Sequence, residues 1–358
     1  MFVVIMAGGS GTRFWPSSRK ERPKQFLNIL GDKPMIVETC DRLAPLARDE
    51  EMVLVLGREH LEEASALLGT RKIHMLAEPT GRNTAPCIGW GAIYADHLGY
   101  KGPIAFLPAD HFIRDAGALV ADLKRAGELA EAGGIVTLGI VPTRPETGYG
   151  YIRRSDTPVK SSEKPAYRVS AFVEKPDPER AAKYLTSGKY FWNAGIFVAT
   201  AETITNQIER YLPKLYQGLA RLKKTIGTDA FMEELETVYK GLEPISFDYG
   251  IMERTKAPVY VLPSECGWSD VGSWASLYEL RDRDHDNDRN LSSGDAFLID
   301  CEGSFVSAQS GRLVACLGLK NCLIVDTPDA LLVADLDRSQ DIRDIVKKLK
   351  DSKKDDLL

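Results

Sequence analysis

Cysteine and histidine are scarce in this chain, which has six cysteines and five histidines among 358 residues. No two cysteines form a C-x-x-C pair, and none has a histidine partner at the spacing of a zinc site. We interpret the cysteines as buried thiols in a reducing compartment, rather than as metal ligands or disulfides. They are Cys40, Cys87, Cys266, Cys301, Cys316 and Cys322.

Long apolar runs and an excess of positive charge are also missing. No apolar stretch reaches the length needed to cross a bilayer. The chain enters a strand-like run at Phe2, without the basic and small-residue pattern of a signal peptide. The net charge of −5 provides no electrostatic basis for binding nucleic acid. We therefore expect a cytoplasmic protein that binds neither membranes nor nucleic acids.

The patterning of the first 285 residues predicts an α/β domain. Short apolar runs alternate with amphipathic segments through about residue 140, which is typical of a Rossmann-like, mostly parallel sheet. Helical segments are predicted over 203–224, 229–240 and 271–283. The charged stretch 281–290 predicts a domain boundary, so that residues 1–285 form the first domain.

Beyond residue 290 the pattern changes to short apolar clusters about eight or nine residues apart. They centre near residues 298, 306, 314, 323 and 332, and glycines lie between several of them. Such spacing is typical of a small β-solenoid, resembling a left-handed β-helix, or of a β-meander. We predict a second domain over 290–358 that ends in a helix over 339–349. A solenoid with so few coils is not expected to be stable alone. We therefore expect this region to pack against the first domain or to form a homodimer.

The N-terminal segment carries a phosphate-binding pattern. A buried-strand run ends in a glycine cluster, and two cations follow it. Glycine lets the backbone turn tightly and bring its N–H groups close to an anion, and the cations add positive charge. This combination suits a polyphosphate. The residues concerned are Gly8, Gly9, Gly11, Thr12, Arg13 and Lys24.

Four interpretations of this loop compete. The simplest is a glycine-rich turn with scattered surface cations. A Walker loop is excluded because no lysine follows Gly8 or Gly11 at the required spacing. A dinucleotide fingerprint is excluded because its third glycine would fall on Phe14. The fourth interpretation is a nucleotidyltransferase loop, GG-x-G-T-R-x-x-P followed by P-K, which matches residues 8–16 and 23–24.

Two aspartates are candidate metal ligands. Asp110 follows a buried-strand run in Leu107-PADH, and Asp270 lies in Trp268-SDVGSW. Taken alone, Asp110 is better explained as a helix cap or a turn residue, and Asp270 is explained equally well as a helix cap. Beside a phosphate loop, however, two carboxylates supply the hard oxygen ligands that Mg²⁺ or another divalent cation prefers.

Further polar residues lie in the middle of the chain. Glu174 and Lys175 end a strand-like run, where a surface ion pair is the default and a carboxylate for sugar hydroxyls with an ammonium for a phosphate is the alternative. A buried amide at Asn193 must be hydrogen-bonded, to a ligand or to the protein. The neighbouring Gly-Tyr-Gly-Tyr and Asn-Ala-Gly stretches contribute Tyr149, Gly150 and Gly195.

The stretch Glu78-PTGRNTAP supplies Asn83 and Thr84, whose polar groups are able to read the edge of a base. The plain alternative is a solvated loop followed by a helix that begins at Pro86. From the sequence alone, both interpretations stay open.

Taken together, these stretches and their order resemble the sugar-1-phosphate nucleotidyltransferases. Three of them resemble the mannose-1-phosphate guanylyltransferase branch in particular. The resemblance is dense over residues 1–285 and loose beyond them. The branch-specific stretches are GRNTAP at 81–86, FDYGIME at 247–253 and WSDVGSW at 268–274.

The resemblance implies a reaction and a role for each matching residue. GTP and α-D-mannose 1-phosphate would give GDP-mannose and pyrophosphate by in-line attack at the α-phosphorus. Arg13 and Lys24 would hold the triphosphate, Asp110 and Asp270 would bind magnesium, and Lys175 would bind the sugar phosphate. Mannose hydroxyls would be held by Glu174, Asn193, Gly150 and Asp248, and guanine or its ribose by Asn83 and Thr84.

Two rival functions remain open at this point. One is a nucleotidyltransferase for another pair of substrates, such as UTP and glucose 1-phosphate, and the other is a non-catalytic homologue. Relatives in this branch include bifunctional proteins with a further C-terminal isomerase domain. We expect that second activity to be absent, because the chain has few histidines and ends soon after the predicted solenoid.

Overall fold

The computed structural model describes residues 1–9, 11–159 and 165–358; Ser10, which belongs to the predicted loop motif, lies outside them. The described chain forms two compact units, and neither is a continuous stretch. The first unit comprises Met1–Gly8, Cys40–Ala109 and Ile113–Trp268, and the second comprises Gly9–Thr39, Asp110–Phe112 and Ser269–Leu358. The domain boundary expected near residues 285–290 remains a prediction.

The strands of the described residues vary from two to eleven residues in length. In chain order they are β1 (Phe2–Ala7), β2 (Met52–Gly57), β3 (His74–Glu78), β4 (Pro103–Pro108), β5 (Phe112–Ile113), β6 (Ile135–Ile140), β7 (Tyr151–Val159), β8 (Ala166–Val173), β9 (Tyr190–Thr200), β10 (Val259–Pro263), β11 (Trp268–Ser269), β12 (Leu291–Ser293), β13 (Ala296–Ile299), β14 (Phe305–Ala308), β15 (Val314–Leu317), β16 (Cys322–Asp326) and β17 (Leu331–Asp335).

The α-helices fall mainly between the strands of the first unit. In chain order they are α1 (Met35–Leu43), α2 (Leu61–Leu68), α3 (Thr84–His97), α4 (Ala116–Glu131), α5 (Pro178–Ser187), α6 (Ala201–Tyr211), α7 (Pro213–Thr225), α8 (Phe231–Gly241), α9 (Trp274–Leu280) and α10 (Ile342–Asp351).

A nine-stranded sheet forms the centre of the first unit, in the order β3-β2-β1-β4-β9-β6-β10-β8-β7. Parallel pairing joins β3, β2, β1 and β4, and it joins β6 to β10. Strand β9 is antiparallel to both β4 and β6, and β8 is antiparallel to both β10 and β7. Seven of these nine strands therefore run in one direction, which confirms the predicted mostly parallel sheet.

Strands β1 and β4 lie side by side and end together. Met6 is in register with Pro108, and the Ala109 N–H donates a hydrogen bond of 2.9 Å to the Met6 carbonyl. Helix α3 packs close to β1, since a Cβ on Gly91 would lie 2.6 Å from Val4 Cγ1. The chain thus enters the glycine loop and the Asp110 segment from the ends of two adjacent strands that are buried along almost their whole length.

Two predicted helices differ from the structure. The helix predicted over 203–224 is two helices, because Pro213 has no N–H to continue α6 and instead begins α7. The helix predicted from Val271 begins three residues later. Val271 has a φ of +45°, and the Ser273 hydroxyl caps α9 by accepting the Ser276 N–H over 3.2 Å.

Short parallel strands stack in the second unit, which confirms the predicted β-solenoid. Strands β12, β14 and β16 form one stack, with Leu291 beside Phe305 and Phe305 beside Leu323, and β13 pairs in parallel with β15. Strand β17 turns back antiparallel on β16. The handedness of the solenoid remains a prediction.

Helix α10 of the second unit begins at Ile342 rather than at residue 339 as predicted, and a 3-10 turn over Asp355–Leu357 follows it. A 3-10 turn over Leu336–Asp341 takes the place of its expected first turn. The six cysteines are free thiols; five are buried, as predicted, and Cys322 is half-buried.

Candidate active site

The glycine loop and the Pro-Lys segment meet in the second unit. Gly9 and Gly11 have φ angles of +106° and +55°, which residues with side chains rarely adopt. A Cβ on Gly11 would lie only 2.6 Å from the Lys24 backbone nitrogen. Glycine at position 11 is therefore required for the close approach that joins the two pieces of the predicted motif.

Lys24 is the most constrained side chain of this loop, because its ammonium group is almost completely buried. Only 5% of the side chain is exposed. The Nζ atom donates 2.6 Å to the carbonyl oxygen of Asp270 and lies 3.0 Å from Asp110 Oδ2. It also lies 5.9 Å from the centre of the Phe14 ring. A buried ammonium must be paired, and these contacts supply both charge neutralisation and hydrogen bonding.

The pKa of Asp110 is lowered from its ordinary value of 3.8. Burial alone would raise this pKa, but the Lys24 ammonium, with a smaller contribution from His111, outweighs burial. About a third of the Asp110 side chain remains exposed. The carboxylate is thus ionised at neutral pH and accessible.

Asp270 lies in the same part of the second unit as Asp110. A Cβ on Gly272 would lie 2.7 Å from Asp270 Oδ2, so the glycine makes room for the carboxylate. Both aspartates line a cleft of about 310 Å³ together with the glycine loop and its cations. The cleft is lined by Gly9, Gly11, Thr12, Arg13, Phe14, Lys24, Asp110, His111, Asp270, Val271 and Gly272.

Arg13 is the exposed cation of this cleft. It lies in a 3-10 turn over Thr12–Phe14, which starts from the left-handed Gly11. Its guanidinium Nη1 donates a long hydrogen bond of 3.4 Å to Gln340 Oε1. The guanidinium keeps most of its donors for a ligand, since it carries five N–H groups.

A second cluster of predicted site residues lies in the first unit. A Cβ on Gly150 would meet Glu174 Oε2 and lie 3.3 Å from Asn193 Cβ, so a larger residue there would displace the Glu174 carboxylate. The Gly150 carbonyl accepts the Asn193 N–H over 2.8 Å. Tyr149 precedes it and packs edge-on against Trp192, with ring centres 5.2 Å apart.

The amide of Asn193 is only half-buried, rather than buried as expected, and it is hydrogen-bonded by the protein itself. Its Oδ1 accepts the Thr137 hydroxyl over 3.1 Å and the Gly195 N–H over 3.2 Å, and its Nδ2 donates to Asp248 Oδ1 over 2.9 Å. Gly195 is therefore a backbone partner with a φ of +66°. Thr137 was missed from the sequence, because one threonine in an apolar strand carries no local signal.

Asp248 is a carboxylic acid whose pKa is raised to about 7. Burial is the main cause, and the nearby Glu174 carboxylate adds to it, while Lys175 and the Asn193 amide act in the opposite direction. Asp248 begins a turn of π-helix over Asp248–Met252. Such turns are rare and are frequent at functional sites.

The Glu174-Lys175 pair is held in an unusual conformation. Lys175 has a φ of +48°, its Nζ lies 3.1 Å from Glu174 Oε1, and half of its side chain is exposed. The Glu174 N–H donates 2.8 Å to Glu253 Oε1. Glu253, which the sequence analysis did not single out, thus fixes the backbone that carries the pair. Non-glycine residues with positive φ cluster at functional sites.

Asn83 and Thr84 start helix α3, so the helix begins two residues before Pro86. Asn83 is exposed with a φ of +68°, and its Oδ1 accepts the Thr84 N–H over 2.8 Å. The Thr84 hydroxyl accepts the Phe247 N–H over 2.9 Å. Thr84 therefore anchors the segment that leads into Asp248, besides any contact with a base.

The chain matches known protein families over most of its length. The chain matches a protein-family model described as Nucleotidyl transferase over residues 2–287, and one described as MannoseP isomerase/GMP-like beta-helix domain over residues 294–349. The chain belongs to the nucleotidyl transferase family. This membership confirms the resemblance inferred from the sequence and makes the protein an enzyme.

Relatives of this nucleotidyl transferase match it over nearly its whole length. It is 40% identical to mannose-1-phosphate guanylyltransferase RfbM of Salmonella typhimurium, over 97% of this chain and 72% of the relative. It is 39% identical to the mannose-1-phosphate guanylyltransferase of Escherichia coli, over 98% of this chain and 73% of the relative. Among the described helices, none is long and apolar enough to span a membrane.

A solved structure is similar across both units. The crystal structure of a protein named mannose-1-phosphate geranyltransferase, from Thermus thermophilus, matches with a TM-score of 0.86 and 37% identity. The match covers 98% of this chain and 99% of that one. A mannose-6-phosphate isomerase from Helicobacter pylori, at 23% identity and a TM-score of 0.61, shares the fold over 75% of this chain and all of that chain.

The raised pKa of Asp248 predicts a pH-dependent stability. The folded chain keeps this proton up to about pH 7, whereas the unfolded chain loses it near pH 3.9. Between those values the unfolded state binds fewer protons, so the wild type loses stability as pH rises, by at most about 1.4 kcal/mol per pH unit. The Asp248→Asn variant has no carboxyl group at this position and therefore does not lose stability in this way. Its free energy of unfolding relative to the wild type should increase with pH over this range and level off above it.

Urea unfolding at a series of pH values measures this difference. The Glu243→Gln variant removes an exposed carboxylate from the same segment and serves as the control for charge. A difference between wild type and Asp248→Asn that stays constant with pH would contradict the assignment of Asp248 as a protonated acid.

Proposed function

We propose that this enzyme transfers GMP from GTP to α-D-mannose 1-phosphate, giving GDP-mannose and pyrophosphate. The observation that carries the proposal is the likeness to mannose-1-phosphate guanylyltransferase RfbM, at 40% identity over 97% of this chain. The two clusters support it, since one is suited to a polyphosphate and the other to a polyol. Because GTP is abundant in the cytoplasm, we place the reaction there.

The cluster around Lys24 is assigned to the nucleotide. Backbone N–H groups of Gly8, Gly9, Gly11 and Thr12 would approach the phosphates, since a glycine loop permits such contact. The exposed Arg13 and the buried Lys24 would bind the β- and γ-phosphates and the leaving pyrophosphate. Their positive charge opposes the repulsion between two polyanionic substrates.

Asp110 and Asp270 have the chemistry of magnesium ligands. Both are carboxylates lining one cleft, and Asp110 is ionised and partly exposed. Among the described residues, no group of three or more histidine, cysteine, aspartate or glutamate side chains could hold a metal ion. Two carboxylates nevertheless fit Mg²⁺, which takes its remaining ligands from phosphate oxygens and water. Bound there, it would neutralise charge on the reacting phosphates.

The reaction we propose needs no protein nucleophile. A phosphate oxygen of mannose 1-phosphate forms a bond to the α-phosphorus of GTP, and the bond from that phosphorus to the bridging oxygen breaks in line with it. The electron pair leaves with pyrophosphate, where negative charge develops. Positioning and electrostatic stabilisation supply most of the catalysis in such transfers.

The cluster around Asn193 is assigned to mannose 1-phosphate. Glu174 accepts and Asn193 donates hydrogen bonds, while a protonated Asp248 is able to do either, which suits sugar hydroxyls. Tyr149, Gly150 and Gly195 shape the backbone around these groups. The half-exposed Lys175 would bind the sugar phosphate through a charge-assisted hydrogen bond.

Asn83 and Thr84 are assigned to guanine or its ribose. The exposed Asn83 amide and the N-terminus of α3 offer donors and acceptors beside one another. The Thr84 hydroxyl is still able to donate a hydrogen bond while it accepts one from Phe247.

A homodimer through the C-terminal region remains a prediction. Its support is an exposed apolar face on β13 and β15, where Phe297, Ile299 and Leu317 are each more than half exposed. Exposed apolar residues that lie together often mark protein interfaces. Sedimentation of the purified chain would decide between a monomer and a dimer.

A substrate grid tests the proposed function. The purified chain is assayed with Mg²⁺ against GTP, ATP, UTP and dTTP, each with mannose 1-phosphate or glucose 1-phosphate. Released pyrophosphate and the mass of the product are measured. We expect the highest kcat/KM for GTP with mannose 1-phosphate. A higher value for another pair would reassign the substrates, and no turnover with any pair would contradict catalysis.

Single substitutions test which substrate each cluster binds. Lys175→Met should raise the KM for mannose 1-phosphate roughly 10- to 100-fold, since a charged hydrogen bond is lost, and leave the KM for GTP unchanged. Asp110→Asn should lower kcat by about 10²-fold or more with little effect on the KM for mannose 1-phosphate. Steady-state kinetics measure both.

The Lys183→Met variant, at an exposed position of helix α5, controls for the loss of one positive charge. If Lys175→Met affected only the KM for GTP, Lys175 would be assigned to the wrong phosphate. Near-normal turnover of Asp110→Asn in magnesium would exclude the metal assignment.

A further inference from the structure

The turn that carries Arg13 is contacted by the C-terminal part of the second unit. Arg13 Nη1 donates to Gln340 Oε1 over 3.4 Å. The indole N–H of Trp15 donates to the Leu357 carbonyl over 2.8 Å, and the Lys20 N–H donates to the Leu358 carbonyl over 2.6 Å. Residues after the solenoid thus hold the segment that follows the glycine loop at several points.

Apolar packing reinforces these hydrogen bonds. Phe14 and Trp15, which flank Arg13 on its C-terminal side, are buried in one cluster with Leu336 and Ile342. Trp274 of helix α9 belongs to the same cluster, with its ring centre 5.1 Å from that of Phe14. Burial of such large side chains resists movement of the turn, because any shift would open a cavity.

The 3-10 turn over Leu336–Asp341 also contacts the segment after Asp270. The buried Ser339 hydroxyl accepts the Ala275 N–H over 3.3 Å, in the first turn of α9. Successive side chains of one turn, Ser339 and Gln340, therefore contact the helix that follows Asp270 and the guanidinium of Arg13. This turn therefore contacts two segments that contribute residues to the cleft.

We propose that the turn over Leu336–Asp341 positions the triphosphate-binding groups and that Gln340 orients the guanidinium of Arg13. The proposal rests on the proposed function, in which Arg13 binds GTP. Gln340 is suited to this task because its amide oxygen is neutral. It accepts a hydrogen bond from one N–H of the guanidinium and so orients the group. The positive charge of Arg13 remains available to a phosphate. Gln340 is a positioning residue and does not contact the substrate.

Two substitutions of Gln340 are expected to weaken GTP binding to different extents. Gln340→Glu places a carboxylate beside Arg13 that competes with the triphosphate, so the Kd and KM for GTP should rise about tenfold, as for an added ion pair. This effect should shrink at high salt, because salt screens exposed charges. Gln340→Ala should raise both constants by a factor of about three, the value of a weak hydrogen bond. The KM for mannose 1-phosphate and the urea midpoint should not change.

The Arg338→Gln variant is the matched control. It changes the net charge by the same amount as Gln340→Glu and lies in the same turn, but Arg338 pairs with Asp341 rather than with the glycine loop. Calorimetric titration with GTP and Mg²⁺ measures binding without turnover. The inference is therefore tested even if the substrate grid rejects the proposed reaction.

Three results would overturn the proposal. The first is an equal effect of Gln340→Glu and Arg338→Gln on the Kd for GTP. The second is an equal rise in the KM for both substrates, which would indicate a general disturbance of the fold. The third is an effect of Gln340→Glu that does not depend on salt. A rise confined to GTP and reduced by salt supports it.

Discussion

The burial of the Lys24 ammonium is the constraint on which the nucleotide cluster depends. An ammonium group that is 5% exposed must find partners within the protein. It finds them in the carboxylate of Asp110 and the backbone carbonyl of Asp270, which come from distant parts of the chain. The three residues come from the three separate stretches of the chain that form the second unit. Glycine is required at position 11 because a side chain there would collide with the backbone and Cβ of Lys24.

The two clusters differ in their electrostatics in the way that their proposed ligands require. Around Lys24, the cations hold Asp110 ionised by lowering its pKa, which suits a site for phosphates and a divalent cation. Around Asn193, burial and the neighbouring Glu174 raise the pKa of Asp248 to about 7, so acids rather than cations dominate. A protonated acid donates hydrogen bonds to hydroxyl groups without carrying charge. Two aspartates thus have different protonation states, ionised at Asp110 and protonated at Asp248, because their surroundings differ.

Local sequence patterns were enough to predict the elements whose signal is local. The glycine cluster, Asp110 after a strand and the regular spacing beyond residue 290 each identified a feature that the structure contains. The break between α6 and α7 was also predictable, because proline cannot continue a helix. The predicted helix over 203–224 nevertheless ran through Pro213. The roles of Thr137, Glu253 and Gln340 could not be predicted. Each depends on contact with a residue far along the chain, and no local pattern records such a contact.

The sequence likewise could not predict that the glycine loop belongs to the second unit, because this grouping results from packing between distant segments. The central claim is that Lys24 holds Asp110 in its ionised state, and the pKa of the Asp110 carboxyl measured by NMR tests it most directly. It should titrate below the ordinary 3.8 in the wild type and at a higher pH in Lys24→Met, where the largest contribution opposing burial is lost. Lys24→Arg should keep the lowered value. An Asp110 pKa that is the same in the wild type and in Lys24→Met would contradict the account.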